Sequence, residues 1–483
     1  MSRRIVGPFN RVEGDLEVHL DIQSGQVADA RVVSPLYRGF EQILSGKNPR
    51  DALVYTPRIC GICSVAQSAA AAAALADAQG LAMPPNGRLA TNLVMATENV
   101  ADHLTHFYLF FMPDFARDIY SSEPWFEDAA ARFKAVSGTS ASQVLPPRAE
   151  FMHLMGLLAG KWPHSLAIQP GGITRSIEVG EKSRMVSILF GFRRFLEEVL
   201  FGDTLENIAA LDSADSLQRW FEQQPPERGD FRRFLRLARE LGLDALGRGP
   251  DRFMSYGVYP DLEQPLFKAG VWSADESHAV DARTIAEDLS HSWMASRGQP
   301  LHPYDGITRP DADAEGAYTW CKAPRLDGEV VEVGALARQV IDGHPLALSL
   351  VRESGGNVRN RVVARLLEIA RVVMAMEGWV RAIRPGDAFC TQAELPGDCS
   401  GCGMIEAARG SLGHWLKIRD GRIDNYQIIS PTTWNFSPRD QRQVPGALEQ
   451  ALVGAPVRVG EEEPVTVQHI VRSFDPCMVC TVH

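Results

Sequence analysis

Two Cys-x-x-Cys pairs near the two ends of this 483-residue chain constrain its fold more than any other feature of the sequence. The first is Cys60-Gly61-Ile62-Cys63, and the second, Cys477 and Cys480, lies in the final stretch DPCMVCTVH. Chain ends usually fray unless something holds them. If both pairs bind one metal, the fold must carry its last residues to the first pair and hold them there.

Four such cysteines can form a structural zinc site or a reactive metal centre. Structural zinc modules usually keep their pairs about 12 to 20 residues apart, because the metal folds a small unit. Here nearly the whole chain separates the pairs, which favours a centre that a large core shields from water. The spacing alone leaves zinc open.

The remaining cysteines are expected to lie outside this site. Cys399 and Cys402 lie in the glycine-rich stretch GDCSGCG, which could bind zinc or form a redox disulfide but is more often a turn. Cys321 and Cys390 stand alone, and we predict that they are inert core thiols. A large chain without a secretory signal uses cysteine pairs for metal or redox work more often than for disulfides.

Composition and charge exclude several classes of protein. A chain that is 45% hydrophobic and 23% charged is an ordinary globular one, and its net charge of -11 includes no basic block that would follow a phosphate backbone. No window reaches the roughly 18 apolar residues of a membrane span. The N-terminus MSRRIVGPFN has no apolar signal region. We therefore predict a cytoplasmic protein with no direct membrane span and no nucleic-acid partner.

The hydrophobic pattern predicts a mainly helical α+β chain. LEVHLDIQSGQVADARVVS alternates about a turn at Ser24-Gly25 and predicts a small N-terminal antiparallel sheet. Four segments are typical of helices: SVAQSAAAAAALADAQG, ending at Gly80, GRLATNLVMATENVADHLTHFYLFFM, SRMVSILFGFRRFLEEVLFG and NRVVARLLEIARVVMAMEGWVRAI. NYQIISPTTWNFSPRD and the tail show little periodicity and predict loops. We expect a single domain, 1–483, with a buried long-helix bundle as its core and peripheral α/β segments, about 203–330 lying at the periphery.

Several short blocks together resemble the large subunit of nickel–iron hydrogenases. In chain order they are RVEG at 11–14, RGFEQIL at 38–44 with NPRDA after it, RICGIC, EAARGSLGHW at 406–415, SPTTWNFSPRD at 430–440 and DPCMVCTVH. They stand in the family's order, and only about 203–330 carries little that aligns. The resemblance implies an enzyme that cleaves H2 heterolytically into protons and electrons.

The resemblance also implies a nickel–iron centre held by the four terminal cysteines. Cys60 and Cys477 would be terminal nickel ligands, while Cys63 and Cys480 would bridge nickel to an iron that carries CO and two cyanides. Soft thiolates suit such metals. Glu13 in RVEG would receive protons from Cys477; without the resemblance, a glutamate beside an arginine would be interpreted as a solvated salt bridge.

Further residues would surround that centre. Arg409 would lie above its open face, oriented by Asp102 and Asp475. The Pro431-Thr432 pair would hydrogen-bond a cyanide, and the N–H must come from Thr432 because proline has none.

A second metal site, which we call the latch, would hold the C-terminus in place. His483 would bind Mg2+ together with Glu41 and the backbone carbonyl of Ile428. Hard cations such as Mg2+ prefer oxygen ligands, and the ring nitrogen of histidine is an unusual ligand for magnesium. This assignment therefore rests on the resemblance.

Four departures from the family's pattern bear on function. Gln67 stands where most relatives have His, Asp15 replaces the His of RIEGH, and Ala408 replaces the Pro of EAPRG. The sequence also stops at His483, where many precursors carry a short peptide that a protease removes, so either the given sequence is the mature form or no such extension exists. Gln67 and the unextended tail resemble the regulatory, H2-sensing branch, in which turnover is slow and the signal passes to a histidine kinase. Ala408 leaves open how tightly the pocket around Arg409 is packed.

Two other functions stay open. One is the large subunit of an energy-conserving uptake hydrogenase, and the other is a metal-free, complex-I-like subunit or a zinc protein. The second is disfavoured because metal-free relatives lose the ligand cysteines. The leftover cysteines cannot hold a relay of iron–sulfur clusters, so a small subunit must supply them; we expect a heterodimer or a dimer of heterodimers with a large interface.

Overall fold

The computed structural model describes residues 2–260, 264–296 and 298–483. The strands within these ranges are β1 (Ser2–Val6), β2 (Glu17–Gln23), β3 (Gln26–Val33), β4 (Ile168–Gln169), β5 (Gly172–Ile173), β6 (Phe253–Val258), β7 (Phe267–Ser273), β8 (Glu276–His278), β9 (Ile285–Asp288), β10 (Ala323–Leu326), β11 (Cys399–Ala407), β12 (Gly410–Arg419) and β13 (Arg422–Ile429).

The α-helices are α1 (Phe40–Leu44), α2 (Ala52–Tyr55), α3 (Ser64–Gln79), α4 (Pro85–Thr105), α5 (Phe126–Phe133), α6 (Thr139–Phe151), α7 (His153–Ala159), α8 (Val179–Phe195), α9 (Leu205–Ala209), α10 (Ala214–Glu222), α11 (Asp230–Glu240), α12 (Ala335–Ile341), α13 (Pro345–Ser354), α14 (Val358–Ala382), α15 (Pro431–Asn435), α16 (Ala447–Leu452), α17 (Val465–Ser473) and α18 (Met478–Thr481). None of these helices is long and apolar enough to cross a membrane.

The N-terminal sheet forms as predicted. Strands β1, β2 and β3 pair antiparallel in that order, and β2 turns into β3 at Ser24 and Gly25, which both have positive φ. Val18 and Leu20 on β2 are fully buried, whereas His19 between them is not. The alternation in the sequence therefore marks the face of the sheet that packs on the core.

All four predicted helical segments are helices. Helix α3 ends at Gly80, whose φ of 64° closes it in the left-handed region. Helices α4 and α8 each continue into a π-helical turn, at His106–Phe111 and Leu196–Phe201, and α14 packs along α4. The mixed α+β class is confirmed. The long-helix bundle stays a prediction, because these helices share the core with sheets.

A second three-stranded antiparallel sheet, β11-β12-β13, was not predicted. Helix α3 lies directly on β11, and two glycines permit this approach. A Cβ on Gly401 would stand 2.1 Å from the carbonyl oxygen of Ala74, and one on Gly403 would stand 2.0 Å from that of Ala70. The alanine run of α3 and the glycines of GDCSGCG are thus two sides of one close helix–strand contact.

Both segments predicted as loops contain regular structure. NYQIISPTTWNFSPRD contributes the end of β13 and all of α15, and the tail contains α17 and α18. Every residue of α15 is buried. A short element buried on all sides has no polar face, so it shows no periodicity in the sequence.

The segment predicted to be peripheral contains α9 to α11, the sheet β6-β7-β8, and β9, which pairs with β10. Strand β6 packs against α12 and β11. The single-domain organisation and the peripheral placement stay predictions.

Candidate metal centre

The first cysteine pair lies in the loop that leads into α3. Cys60 is extended and follows a 3₁₀ turn, Thr56–Ile59, and Cys63 directly precedes the helix. The N–H groups in the first turn of a helix have no acceptor within the helix, so those of α3 could in principle face the thiolates. Instead, Glu98 accepts the N–H groups of Val65 and Ala66, at 2.9 and 3.0 Å.

The second pair brackets the short helix α18, which is held from several sides. The N–H of Cys477 donates to the hydroxyl of Thr432 at 3.2 Å, and Ser430 donates to the carbonyl of Cys480 at 2.7 Å. Thr433 likewise donates to the carbonyl of Thr481 at 3.0 Å. The chain terminus is therefore docked in the core, as a metal site built from it requires.

The four thiols meet in one buried cluster. Their sulfur atoms all lie within 4.8 Å of one another, with Cys60 and Cys477 separated by 3.4 Å and Cys63 and Cys480 by 2.8 Å. Burial raises the pKa of the Cys477 and Cys480 thiols, while the hydrogen bond from Cys477 lowers the pKa of Cys60. Four buried thiolates repel one another unless a cation neutralises them, so this all-sulfur set fits a soft or borderline metal.

Arg409 lies beside the cluster, between the carboxylates of Asp102 and Asp475. Its guanidinium bonds Asp102 through both terminal nitrogens, reaches Asp475 Oδ1 at 3.0 Å, and donates through Nε to the Asp475 carbonyl at 2.8 Å. Burial outweighs Arg409 and raises the pKa of Asp102 to about 7. Burial also opposes ionisation of Asp475, but Arg409 and neighbouring cations bring its pKa below the usual value.

Glu13 lies against the terminal pair. Its carbonyl accepts the N–H of Met478 at 2.7 Å, and its backbone pairs with Cys477 as an isolated parallel bridge. Burial, followed by the charge on Cys60, raises the pKa of the half-buried Glu13 carboxyl, while Arg409 and Arg38 oppose the shift. Glu13 therefore lies beside the terminal cysteine pair, and its role in proton transfer stays a prediction.

Pro431 and Thr432 form the first turn of α15, capped by Ser430. An N–H in this turn has no intrahelical acceptor, so that of Thr432 is available to a ligand. The Thr432 hydroxyl already accepts from Cys477, and its own proton remains available to donate.

Gln67 is fully buried and faces the cluster. Its Nε2 lies 4.0 Å from the sulfur of Cys480, and its Oε1 lies 2.9 Å from Nε2 of His414. Nδ1 of His414 in turn meets the hydroxyl of Tyr426 at 2.8 Å. Burial lowers the pKa of His414 to about 3, so the ring is neutral. Neither His414 nor Tyr426 was predicted, since a lone His or Tyr carries no spacing signal.

His483 lies against Glu41, with its Nε2 3.3 Å from Oε1 of the carboxylate. The contact of Ile428 with Glu41 is made by its N–H, at 2.8 Å, and not by its carbonyl. An unpredicted cation is also present, because Lys322 Nζ lies 3.0 Å from Glu41 and 3.2 Å from Glu287. Burial raises the pKa of Glu41, but Lys322 and His483 outweigh it and lower the pKa to about 2.

The other cysteines lie outside the cluster. Cys399 and Cys402 are on β11, so GDCSGCG forms a strand and not the expected turn. Residues three apart on a strand face opposite sides, which does not suit a disulfide between them. Cys321 is fully buried, as predicted, but Cys390 is only half-buried and so is not a core thiol.

Comparisons with known proteins agree with this geometry. The family model described as nickel-dependent hydrogenase matches residues 38–143 and 238–483, so much of the segment in which motifs could not be aligned also matches. The chain is 30% identical to the periplasmic [NiFeSe] hydrogenase large subunit of Desulfomicrobium baculatum, over 99% of this chain and 94% of that protein. It is 28% identical to the uptake hydrogenase large subunit of Cupriavidus necator, over 100% of this chain and 95% of that one.

A solved structure shares the fold. The reduced, active form of the Ni-Fe-Se hydrogenase from Desulfomicrobium baculatum superposes with a TM-score of 0.86 at 28% identity, covering 100% of both chains. The convergence of four buried thiols, the family match and the full-length similarity to large subunits lead to one conclusion: the chain belongs to the nickel-dependent hydrogenase family and corresponds to its large subunit.

Proposed function

We propose that this chain holds a nickel–iron centre and cleaves H2 heterolytically, as the large subunit of a heterodimer. The observation that carries the proposal is the convergence of four buried thiols from opposite ends of the chain. When bound, the centre would accept the electron pair of H2. Cys60, Cys63, Cys477 and Cys480 would hold it through their four sulfur atoms.

The first role of the protein's own residues is to carry away the proton that H2 heterolysis releases. Heterolysis releases a proton beside buried thiolates, and a base must carry it away. The backbone carbonyl of Glu13 accepts the N–H of Met478, which lies between the two terminal cysteines. Its raised pKa brings the Glu13 carboxyl closer to neutral pH, where an acid–base group works best. We assign Glu13 as the first carrier of the proton that leaves Cys477.

Arg409 supplies a fixed positive charge beside the cluster. Burial disfavours its ionisation, but Asp102 and Asp475 outweigh that effect and keep the pKa of Arg409 well above its usual value. Two carboxylates also fix the plane of its guanidinium. Arg409 therefore orients and polarises what binds in the pocket without exchanging a proton.

Two donors suit an iron-bound cyanide. The N–H of Thr432 belongs to the first turn of a capped helix, and the Thr432 hydroxyl touches the backbone of Cys477. A cyanide in a dry pocket requires such donors. The CO and cyanide ligands of the iron are part of this proposal.

The latch at the C-terminus is proposed to hold Mg2+. Side-chain oxygen atoms of Glu41, Glu287 and Gln427 accept hydrogen bonds from Lys322 Nζ, and Glu41 also contacts His483. A hard cation prefers such oxygens. Removing Mg2+ with a chelator should then lower the melting temperature of the chain, whereas an unchanged melting temperature would leave Lys322 as the cation of the latch.

We further propose that H2 is sensed and not consumed for energy, with a histidine kinase as the signalling partner in the cytoplasm. The support is Gln67, a neutral amide that faces Cys480, at a position where the resemblance implies a His in most relatives. The alternative, energy-conserving uptake, is supported by the similarity to an uptake hydrogenase. A strain that lacks the chain should lose H2-dependent transcription but keep H2-supported growth; the reverse pattern would establish uptake.

The catalytic proposal is tested on the complex with a small subunit that carries iron–sulfur clusters. H2-dependent reduction of a redox dye should be present in the wild type and absent in Cys477→Ser. Cys399→Ser is the matched control, because Cys399 lies on β11 away from the cluster. Equal loss in both variants would contradict the assignment of the site.

A further inference from the structure

Arg38 lies between the two cysteine loops and bonds both. Its Nη2 donates to the carbonyl of Ile59 at 2.6 Å and also to the carbonyl of Val479. Ile59 directly precedes Cys60, and Val479 directly precedes Cys480. Each carbonyl therefore belongs to the peptide that leads into a ligand cysteine, one from each pair.

Both carbonyls depend on Arg38. Ile59 ends a 3₁₀ turn, and Val479 lies in the four-residue helix α18, too short to satisfy its own carbonyls. Across the described ranges, no backbone N–H donates to either oxygen. Removing the guanidinium would leave two carbonyls without their donor, which costs more than the bonds themselves contribute.

Arg38 joins a different pair of cysteines from those whose sulfur atoms are in closest contact. The close sulfur contacts join Cys60 to Cys477 and Cys63 to Cys480. Arg38 instead ties the peptide of Cys60 to that of Cys480, which is the diagonal of the cluster. Both bonds come from one nitrogen, Nη2, whose two N–H groups are held in the plane of the guanidinium, so they fix the distance between the loops as well as joining them.

The same short segment also holds the chain terminus. Arg38 packs its guanidinium over Phe40, 5.1 Å from the ring centroid, and Glu41, one residue further along, contacts His483. The turn at residues 38–41 therefore touches the terminal segment at two points, one beside the thiols and one at the last residue.

We propose that Arg38 is a positioning residue that fixes the terminal cysteine pair against the first pair, so that the four thiols meet a metal as one preformed site. The proposal rests on the proposed function, since it takes these thiols as the metal ligands. It differs from that function in concerning the geometry of the site before any metal binds.

The test measures the affinity of the metal-free, full-length chain for Ni2+ alone, in competition with a chelator. Arg38→Met keeps an unbranched stem over Phe40 but has no donor. Its affinity should fall by about 10- to 100-fold, as for other residues that orient metal ligands. Arg38→Lys keeps the charge and a nitrogen that can donate to both carbonyls, but its N–H groups rotate freely on a flexible stem, so its affinity should lie between those of Arg38→Met and the wild type.

Arg232 provides a matched control. It also donates to two backbone carbonyls, those of Phe201 and Trp220, at 2.8 and 3.2 Å, and it stacks on Trp220. Arg232→Met should lower the melting temperature of the chain but leave the Ni2+ affinity at the wild-type value. This separates a general loss of stability from a loss of positioning.

Each outcome decides a separate point. Wild-type affinity in Arg38→Met, or an equal loss in Arg232→Met, would overturn the role of Arg38. If Arg38→Met does not fold, Arg38→Lys decides, and wild-type affinity there would overturn the proposal. If Cys477→Ser binds Ni2+ as tightly as the wild type, the thiols are not the site, and the proposed function fails independently of Arg38.

Discussion

Replacing Glu13 by Gln tests the proton path most sharply. The amide keeps the shape of the side chain, and the bond from Met478 N–H to the Glu13 carbonyl is unaffected because it involves only backbone atoms. What disappears is a titratable group whose pKa is raised by burial and by the charge on Cys60. Loss of one general acid–base group typically costs about 10²- to 10⁴-fold in rate, or about 3 to 5.5 kcal/mol of barrier at about 1.36 kcal/mol per decade.

The assay is isotope exchange, in which D2 is supplied in H2O and the appearance of HD and H2 is followed by mass spectrometry. Nickel content and infrared bands should match the wild type, because no ligand has changed. Glu13→Asp should recover part of the rate, and Asp15→Asn, at an exposed neighbouring acid, should exchange normally. If Glu13→Gln exchanges at the wild-type rate with its metal intact, the proton leaves by another route.

Two further predictions concern stability. Burial raises the pKa of Glu368, but the charge of Arg338 outweighs burial and lowers the pKa to about 2 from a usual 4.5. The ionised carboxylate should therefore add about 3 kcal/mol to the free energy of unfolding above pH 4.5, and this contribution is lost as the pH falls towards 2. Glu368→Gln should lose that contribution and flatten the melting temperature over that range; an unchanged acid profile would contradict the pairing. Gly403→Ala should destabilise the fold by about 1 to 3 kcal/mol, because its Cβ would meet Ala70. Gly378→Ala, where nothing lies within 4 Å, should be neutral or stabilising in the same thermal melts, and equal effects of the two alanines would refute the close contact.

The sequence predicted those helices and strands whose hydrophobic residues recur with a regular spacing. Strands β2 and β3 alternate, and α3, α4, α8 and α14 repeat an apolar face or are apolar throughout. It failed at α15 and α18, which are short and almost wholly buried. Buried elements of that length are formed by their surroundings and leave no local pattern.

The candidate site divides in the same way. Spacing showed that two cysteine pairs were present, while their meeting, and the roles of Glu13 and Arg409, rested on the resemblance. Lys322 and His414 were missed because a single Lys or His has no spacing to detect. The approach of α3 to β11 did have a signal, namely an alanine run and a glycine at every second position, Gly401 and Gly403.

Metal analysis of the purified complex tests the central claim most directly. The account predicts about one nickel per large subunit, with infrared bands of CO and cyanide stretches, both lost in Cys477→Ser and both retained in Cys399→Ser. The four thiols lie within 4.8 Å of one another and would bind one metal centre. Stoichiometric zinc without those bands, or nickel that survives the loss of Cys477, would contradict it.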